Sequence, residues 1–292
     1  MADGELRPRR SVLYMPGANE RALEKAKDIP ADALILDLED AVAPDAKVEA
    51  RERVCAAVTG GGYGKRELVI RANGLGTPWH DEDLASAAKA GPDAVLVPKV
   101  NSATEVHAIE AALEAAGAPD RTMVWAMLET PVAVLHAEEI ASASERLTVL
   151  VMGTNDLVKE LHAVRVADRQ PLLPSLGLCL LGVRAAGKVL LDGVYNDIKD
   201  EEGFLAECVQ GRELGFDGKT LIHPSQVEPC NDVFAPDEDA VELARRTIAA
   251  FEEAQAEGRG VVTLDGRMIE NLHVEEARRV LAINDAIATL GS

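Results

Sequence analysis

Two carboxylates, Glu129 and Asp156, each follow a short apolar run, Met123-Val-Trp-Ala-Met-Leu128 and Leu147-Thr-Val-Leu-Val-Met152. If these runs are neighbouring parallel strands, about 4.8 Å apart, the two side chains converge. They could then share one hard divalent cation, Mg2+ or Mn2+, leaving coordination positions for substrate oxygens and water. The same residues stand where helices begin, so N-capping is an equal reading of them taken alone. No histidine or cysteine lies beside them, which disfavours zinc. Gly153, Thr154 and Asn155, just ahead of Asp156, are candidates for substrate contacts.

Arg71 ends the run Leu68-Val-Ile70, an uncomfortable place for a charge without a partner. Its guanidinium could grip a carboxylate or oxyanion in bidentate fashion. It could also pair with Asp37, Glu39 and Asp40, which follow the preceding run, and both roles can coexist. That acidic group would orient Arg71 or Lys99, or reach the metal through water. His223 follows the last apolar run; a lone histidine there is more often structural than an acid or base. Arg7, Arg9 and Arg10 form a basic cluster that could hold phosphate, with a loose tail as the plain alternative. No nucleophile elbow, Walker loop or serine-triad spacing is present, which removes the common hydrolase and kinase readings.

The elements that must position these residues are eight short Val/Leu/Ile-rich runs separated by helical segments. Apolar runs without alternation fit parallel strands buried on both faces. Eight such units predict an α/β fold of the (β/α)8 TIM-barrel type over residues 1–234, with function collecting where the strands end. Besides the residues above, those strand ends carry Asn73, Asp192 and Asn196. A doubly wound open sheet is the runner-up, weakened because Met15-Pro-Gly-Ala-Asn19 lacks the dinucleotide glycine spacing. Residues 235–292 are expected to form a C-terminal helical extension. It comprises a long acidic helix over 236–258, a short strand, an Asp265-Gly266 turn and a last helix over 271–290. Such an appendage is a packing arm, a subunit contact or a lid.

Composition bounds the partners. The 292 residues carry a formal charge of −20, which argues against nucleic acid or an anionic membrane as the main partner. The 47% of hydrophobic residues suffice for a sizeable core. Four cysteines without metal or redox spacing, and no secretory or membrane-spanning run, predict a cytoplasmic protein.

In order along the chain, the motifs resemble those of the citrate lyase β-subunit-like and malyl-CoA lyase family of acyl-CoA carbon–carbon lyases. The carriers are Arg10-Ser-Val-Leu-Tyr-Met-Pro-Gly17, Leu36-Asp-Leu-Glu-Asp-Ala-Val42, Val69-Ile-Arg71-Ala-Asn73, Val97-Pro-Lys99-Val100, Glu129-Thr130, Gly153-Thr-Asn-Asp-Leu157 and Gly218-Lys-Thr-Leu-Ile-His-Pro-Ser225. The resemblance covers almost the whole chain. It implies a barrel assembled as trimers or hexamers, Mg2+ on Glu129 and Asp156, and a substrate-gripping Arg71. It also implies coenzyme A across the rim, near Arg10 and Ser11 at its phosphates and Ile222, His223 and Pro224 at its pantetheine arm. A lid from a neighbouring subunit would deliver a carboxylate, which falls on Glu270 where the family usually has aspartate. Asp265 is the second candidate in the same segment.

The implied reaction is Mg2+-dependent cleavage, or formation, of a 3-hydroxyacyl-CoA such as malyl-CoA or citramalyl-CoA, giving an acyl-CoA and a 2-keto acid. Metal and Arg71 would stabilise charge on the oxygen that becomes the carbonyl, and Glu270 would move protons. The nearest alternative is a malyl-CoA-type thioesterase on the same scaffold. More distant ones are a metal-dependent aldolase acting on free hydroxy-keto acids and a non-catalytic subunit of a lyase complex.

Overall fold

The computed structural model describes residues 6–291. Eight parallel strands close into a barrel: β1 (Ser11–Pro16), β2 (Ala33–Asp37), β3 (Glu67–Arg71), β4 (Ala94–Val97), β5 (Met123–Leu128), β6 (Leu147–Met152), β7 (Val189–Asp192) and β8 (Gly218–Leu221). Each pairs with its successor, and β1 pairs with β8 to close the ring. The open-sheet alternative is thereby removed.

Residue parity along each strand decides what faces where. Val12, Ile35, Val69, Leu96, Trp125, Val149, Val151 and Leu191 fill the barrel interior. Their neighbours Leu13, Leu34, Leu36, Ile70, Val95 and Leu150 pack outward against the helices. Both sets are apolar, which is why the runs show no alternation. Each fully buried aliphatic side chain contributes about 1.5–3 kcal/mol. Continuing the inward parity past the last apolar residue brings Asp37, Arg71, Glu129 and Gly153 to the C-terminal mouth.

Local signals set the helix starts. Asn19, Ser102, Thr130 and Asp200 accept hydrogen bonds from backbone N–H groups in the first turns of the helices Glu20–Lys25, Ala103–Ala115, Pro131–Leu135 and Glu201–Leu214. The helix Val227–Phe234, after β8, was not expected from the periodicity.

Ion pairs occupy the N-terminal end of the barrel. Arg9 binds Glu67 at the start of β3 through Nε (2.6 Å) and Nη2 (2.9 Å), and lies 5.6 Å from the ring centre of Trp125. Arg10 binds Asp32 through Nε (2.9 Å) and Nη2 (2.8 Å).

The described residues divide into two compact units, Arg9–Phe234 and a second comprising 235–291 with 6–8. Within the second, Asp237 caps the helix Glu238–Ala256, which therefore starts two residues later than the periodicity suggests. The strands β9 (Val262–Leu264) and β10 (Arg267–Ile269) form an antiparallel hairpin, the latter unforeseen. Asp265 and Gly266 turn it with φ of 51° and 79°, the left-handed pair such a two-residue turn requires. The last helix is Asn271–Leu290, and Phe251, Ile269 and Val274 form this unit's own small core.

Candidate active site

The mouth of the barrel gathers charge in a small volume. Arg71 donates from Nε and Nη2 to the two oxygens of Asp37, both at 2.6 Å, and its Nη1 lies 2.8 Å from Glu39 Oε2. Its guanidinium lies 4.7 Å from the ring centre of Tyr14, two strands over on β1. Nη1 also approaches Met127 Sδ (3.9 Å), a weak acceptor; five N–H donors still exceed these contacts, so the carboxylate-pairing role is filled and capacity is left for a substrate oxygen. Asp40 is exposed and 3.9 Å from Nη1, so it contributes little beside Asp37 and Glu39.

The segment bearing Glu39 is pinned from below. Lys47, buried in its own helix, donates from Nζ to the backbone oxygens of Leu38 (2.9 Å) and Glu39 (3.0 Å). Asn73 donates to Leu38 O (3.0 Å) and to Asp83 (2.6 Å), and Arg51 holds Asp83 at 2.6 Å. Tyr14, Lys47 and Asp83 were not singled out in the sequence. Parity could have found Tyr14, which shares the inward face of β1 with Val12; nothing local marks the other two.

Glu129 is 2% exposed. The capping alternative does not apply to it, since Thr130 caps the following helix. Asp156 is the third residue of the helix Thr154–Glu160 and is not its cap either. Glu129 Oε1 accepts a 2.8 Å hydrogen bond from the Lys99 backbone N–H. Lys99 Nζ lies 3.6 Å from Asp156 Oδ1 and 3.7 Å from Glu39 Oε1. Burial pushes the Glu129 carboxyl up to about 7, and the Asp156 charge adds to the rise while Lys99 opposes it. Gly153 makes room for this side chain, because a Cβ at that position would stand 2.2 Å from Glu129 Oε2.

Two carboxylates of this kind suit a hard, oxygen-seeking cation. The fit has two structural signs, the glycine cradle around Glu129 and an ammonium already standing beside Asp156 and Glu39. Among the described residues no group of three or more His, Cys, Asp or Glu is gathered to hold a metal. The protein's share would thus be Glu129 and Asp156, with water and substrate completing the shell, as Mg2+ usually requires.

Other expected residues fall elsewhere. Thr154 lines a cavity of about 290 Å³ together with Val158, Arg169, Val194 and Tyr195. Asn155 bonds to Asn196 and accepts from Arg165 (2.7 Å). Asp192 faces outward by parity and is held by Arg169 (2.7 Å) and the fully buried Lys219 (3.0 Å), so it leaves the list of mouth residues. Ile222, His223 and Pro224 follow β8 at the mouth end and are exposed; His223 Nδ1 lies 2.7 Å from Ser225 Oγ and caps a short turn.

Arg10 and Ser11 require correction as coenzyme A ligands. They precede or begin β1 and so lie at the barrel end opposite Glu129. Arg10 is held by Asp32, and the buried Ser11 hydroxyl donates to Asn231 at 2.7 Å. In the second unit, Asp265 is paired with Arg246 (2.6 Å). Glu270 is exposed and immediately precedes the last helix; its backbone N–H donates to His273 Nδ1 at 3.2 Å.

Barrel and mouth together define a (β/α)8 protein with a carboxylate- and arginine-lined centre at the strands' C-terminal ends. The family model described as HpcH/HpaI aldolase/citrate lyase matches residues 10–224, and the chain belongs to that family. It is 52% identical over 285 residues, 98% of each chain, to the (3S)-malyl-CoA thioesterase of Cereibacter sphaeroides. It is 39% identical over 281 residues to the citrate lyase subunit beta of Escherichia coli, covering 94% of this chain and 93% of that one. Among solved structures, the protein CitE of Mycobacterium tuberculosis in complex with magnesium, acetoacetate and coenzyme A is similar with a TM-score of 0.75 and 29% identity, covering 94% of this chain and 97% of that one.

Proposed function

We propose that the protein hydrolyses the thioester of a malyl-CoA-type 3-hydroxyacyl-CoA, using a Mg2+ (or Mn2+) centre on Glu129 and Asp156. The observation that carries this reading is the full-length 52% identity to the (3S)-malyl-CoA thioesterase, which moves hydrolysis ahead of carbon–carbon cleavage. The cation, when bound, supplies Lewis-acid stabilisation for charge on a substrate oxygen. Arg71, fixed by Asp37 and Glu39 over Tyr14, offers its remaining N–H donors to the substrate carboxylate or to the developing oxyanion. Glu270 acts as the base that takes a proton from water. Water oxygen bonds to the thioester carbon, the C–S bond breaks, and the departing coenzyme A sulfur takes up a proton.

In this reading the chain assembles as a trimer or hexamer in which Glu270 of one subunit serves the barrel of another. A row of exposed apolar residues on the barrel, Leu178 and Leu181 on one helix and Val132 and Leu135 on another, supports self-association. Coenzyme A is proposed to approach along the segment 222–224. No helix among the described residues is long and apolar enough to cross a membrane; we place the enzyme in the cytoplasm.

The second reading is a lyase giving an acyl-CoA and a 2-keto acid, supported by the citrate lyase β subunits among the relatives. Turnover in heavy-oxygen water separates the two. Hydrolysis must place one label in a carboxylate of the released malate. Formation of glyoxylate and acetyl-CoA in place of labelled malate would overturn it.

A further inference from the structure

Lys99 combines two unusual features. It adopts φ of 55°, the left-handed region, without being glycine. A non-glycine residue is held there only when its surroundings demand it, and such outliers concentrate at functional sites. The demand is visible: this backbone directs the Lys99 N–H at Glu129 Oε1, 2.8 Å away. The side chain then places its ammonium 3.6 Å from Asp156 and 3.7 Å from Glu39. The side chain is 48% exposed, so it can leave toward solvent without crossing packed atoms.

We infer that Lys99 is a displaceable internal cation of the metal centre: its ammonium holds Asp156 beside Glu39 before metal binds and is expelled when a divalent cation arrives. Its backbone meanwhile keeps Glu129 aimed into the centre, so Lys99 is a positioning residue in both states. The inference rests on the assignment of Glu129 and Asp156 as metal ligands.

The physical reason is charge balance. Glu39 has Arg71 as a further partner, whereas Asp156 is ion-paired with Lys99, and Glu129 meets the Lys99 backbone N–H. A divalent ion and an ammonium both seated on Asp156 would repel at short range. The ammonium therefore competes with the metal for Asp156.

Titration with Mn2+, read by loss of the free-ion electron paramagnetic resonance signal, tests this without turnover. Lys99→Met keeps an unbranched side chain but removes the charge; its Mn2+ affinity should rise about tenfold, and its metal-free melting temperature should fall. Lys99→Arg, which restores a cation, should return the affinity toward that of the unaltered protein. Lys99→Val adds a β-branched side chain that resists positive φ, and should bind Mn2+ more weakly than Lys99→Met by misdirecting Glu129. Equal affinity in the unaltered protein and Lys99→Met would overturn the inference while leaving the metal centre standing. Binding by Lys99→Met alone would be its extreme form. Binding by neither would overturn the metal centre and the inference with it.

Discussion

Replacing Glu129 by Gln should stabilise the metal-free protein at alkaline pH, an unusual effect for a residue at the heart of a site. Glu129 is 2% exposed, and burial with the Asp156 charge raises its carboxyl from 4.5 to about 7. A carboxyl whose folded value is raised adds stability that is fully present below about 4.5 and is lost as pH rises through about 7. That rise corresponds to about 3 kcal/mol lost between pH 4 and pH 8. Gln at this position keeps an oxygen for the Lys99 N–H and carries no charge, so its stability should lack this component. Urea unfolding at both pH values in the presence of EDTA measures the difference directly. Mg2+ at pH 8, at about 1,000 times its dissociation constant, should reverse the order, since such a ligand contributes about 4 kcal/mol to the protein that binds it. Equal pH dependence in the two proteins, or a Gln variant less stable than the parent at pH 8 without metal, would mean that Glu129 carries no such strain.

Other changes test neighbouring parts of the account. Gly153→Ala puts a Cβ where Glu129 Oε2 stands, and should weaken metal binding at least tenfold while leaving far-ultraviolet circular dichroism unchanged. Arg10→Ala breaks a pair with the buried Asp32 and should lower stability by about 3 kcal/mol, yet leave the KM for the CoA thioester unaltered. A raised KM there would return Arg10 to the ligand site. Mixed oligomers of Arg71→Ala and Glu270→Ala subunits should regain part of the activity that each variant lacks, because some mouths then hold an intact arginine with a neighbour's intact acid. Inactive mixtures with verified subunit exchange would mean that each chain serves its own barrel.

How far the sequence could be read depended on which side of each apolar run a residue stood. Glu129 and Arg71 end their runs, and strand parity carries both into the barrel mouth. Arg10 precedes its run, so the same logic sends it to the opposite end, where it meets Asp32. The motif resemblance, followed without that distinction, placed it at the phosphates. Asp192 was misplaced for a different reason: it follows the inward Leu191 by one residue, and one step of a strand reverses the facing. Lys99 shows what periodicity could not convey. Its left-handed backbone is imposed by Glu129, thirty residues later in the chain, and no local pattern marks a lysine for positive φ. In the Glu270 segment the turn and the last helix were legible because Asp265-Gly266 is a strong turn signal, whereas the three-residue strand Arg267–Ile269 was too short to show.

Whether the Glu129–Asp156 centre hydrolyses a malyl-CoA-type thioester is decided by product analysis. Purified protein with (3S)-malyl-CoA and Mg2+ should release free coenzyme A and malate in equal amounts, and Asp156→Ala should release neither. Acetyl-CoA with glyoxylate as the accumulating products would contradict the account and establish the lyase.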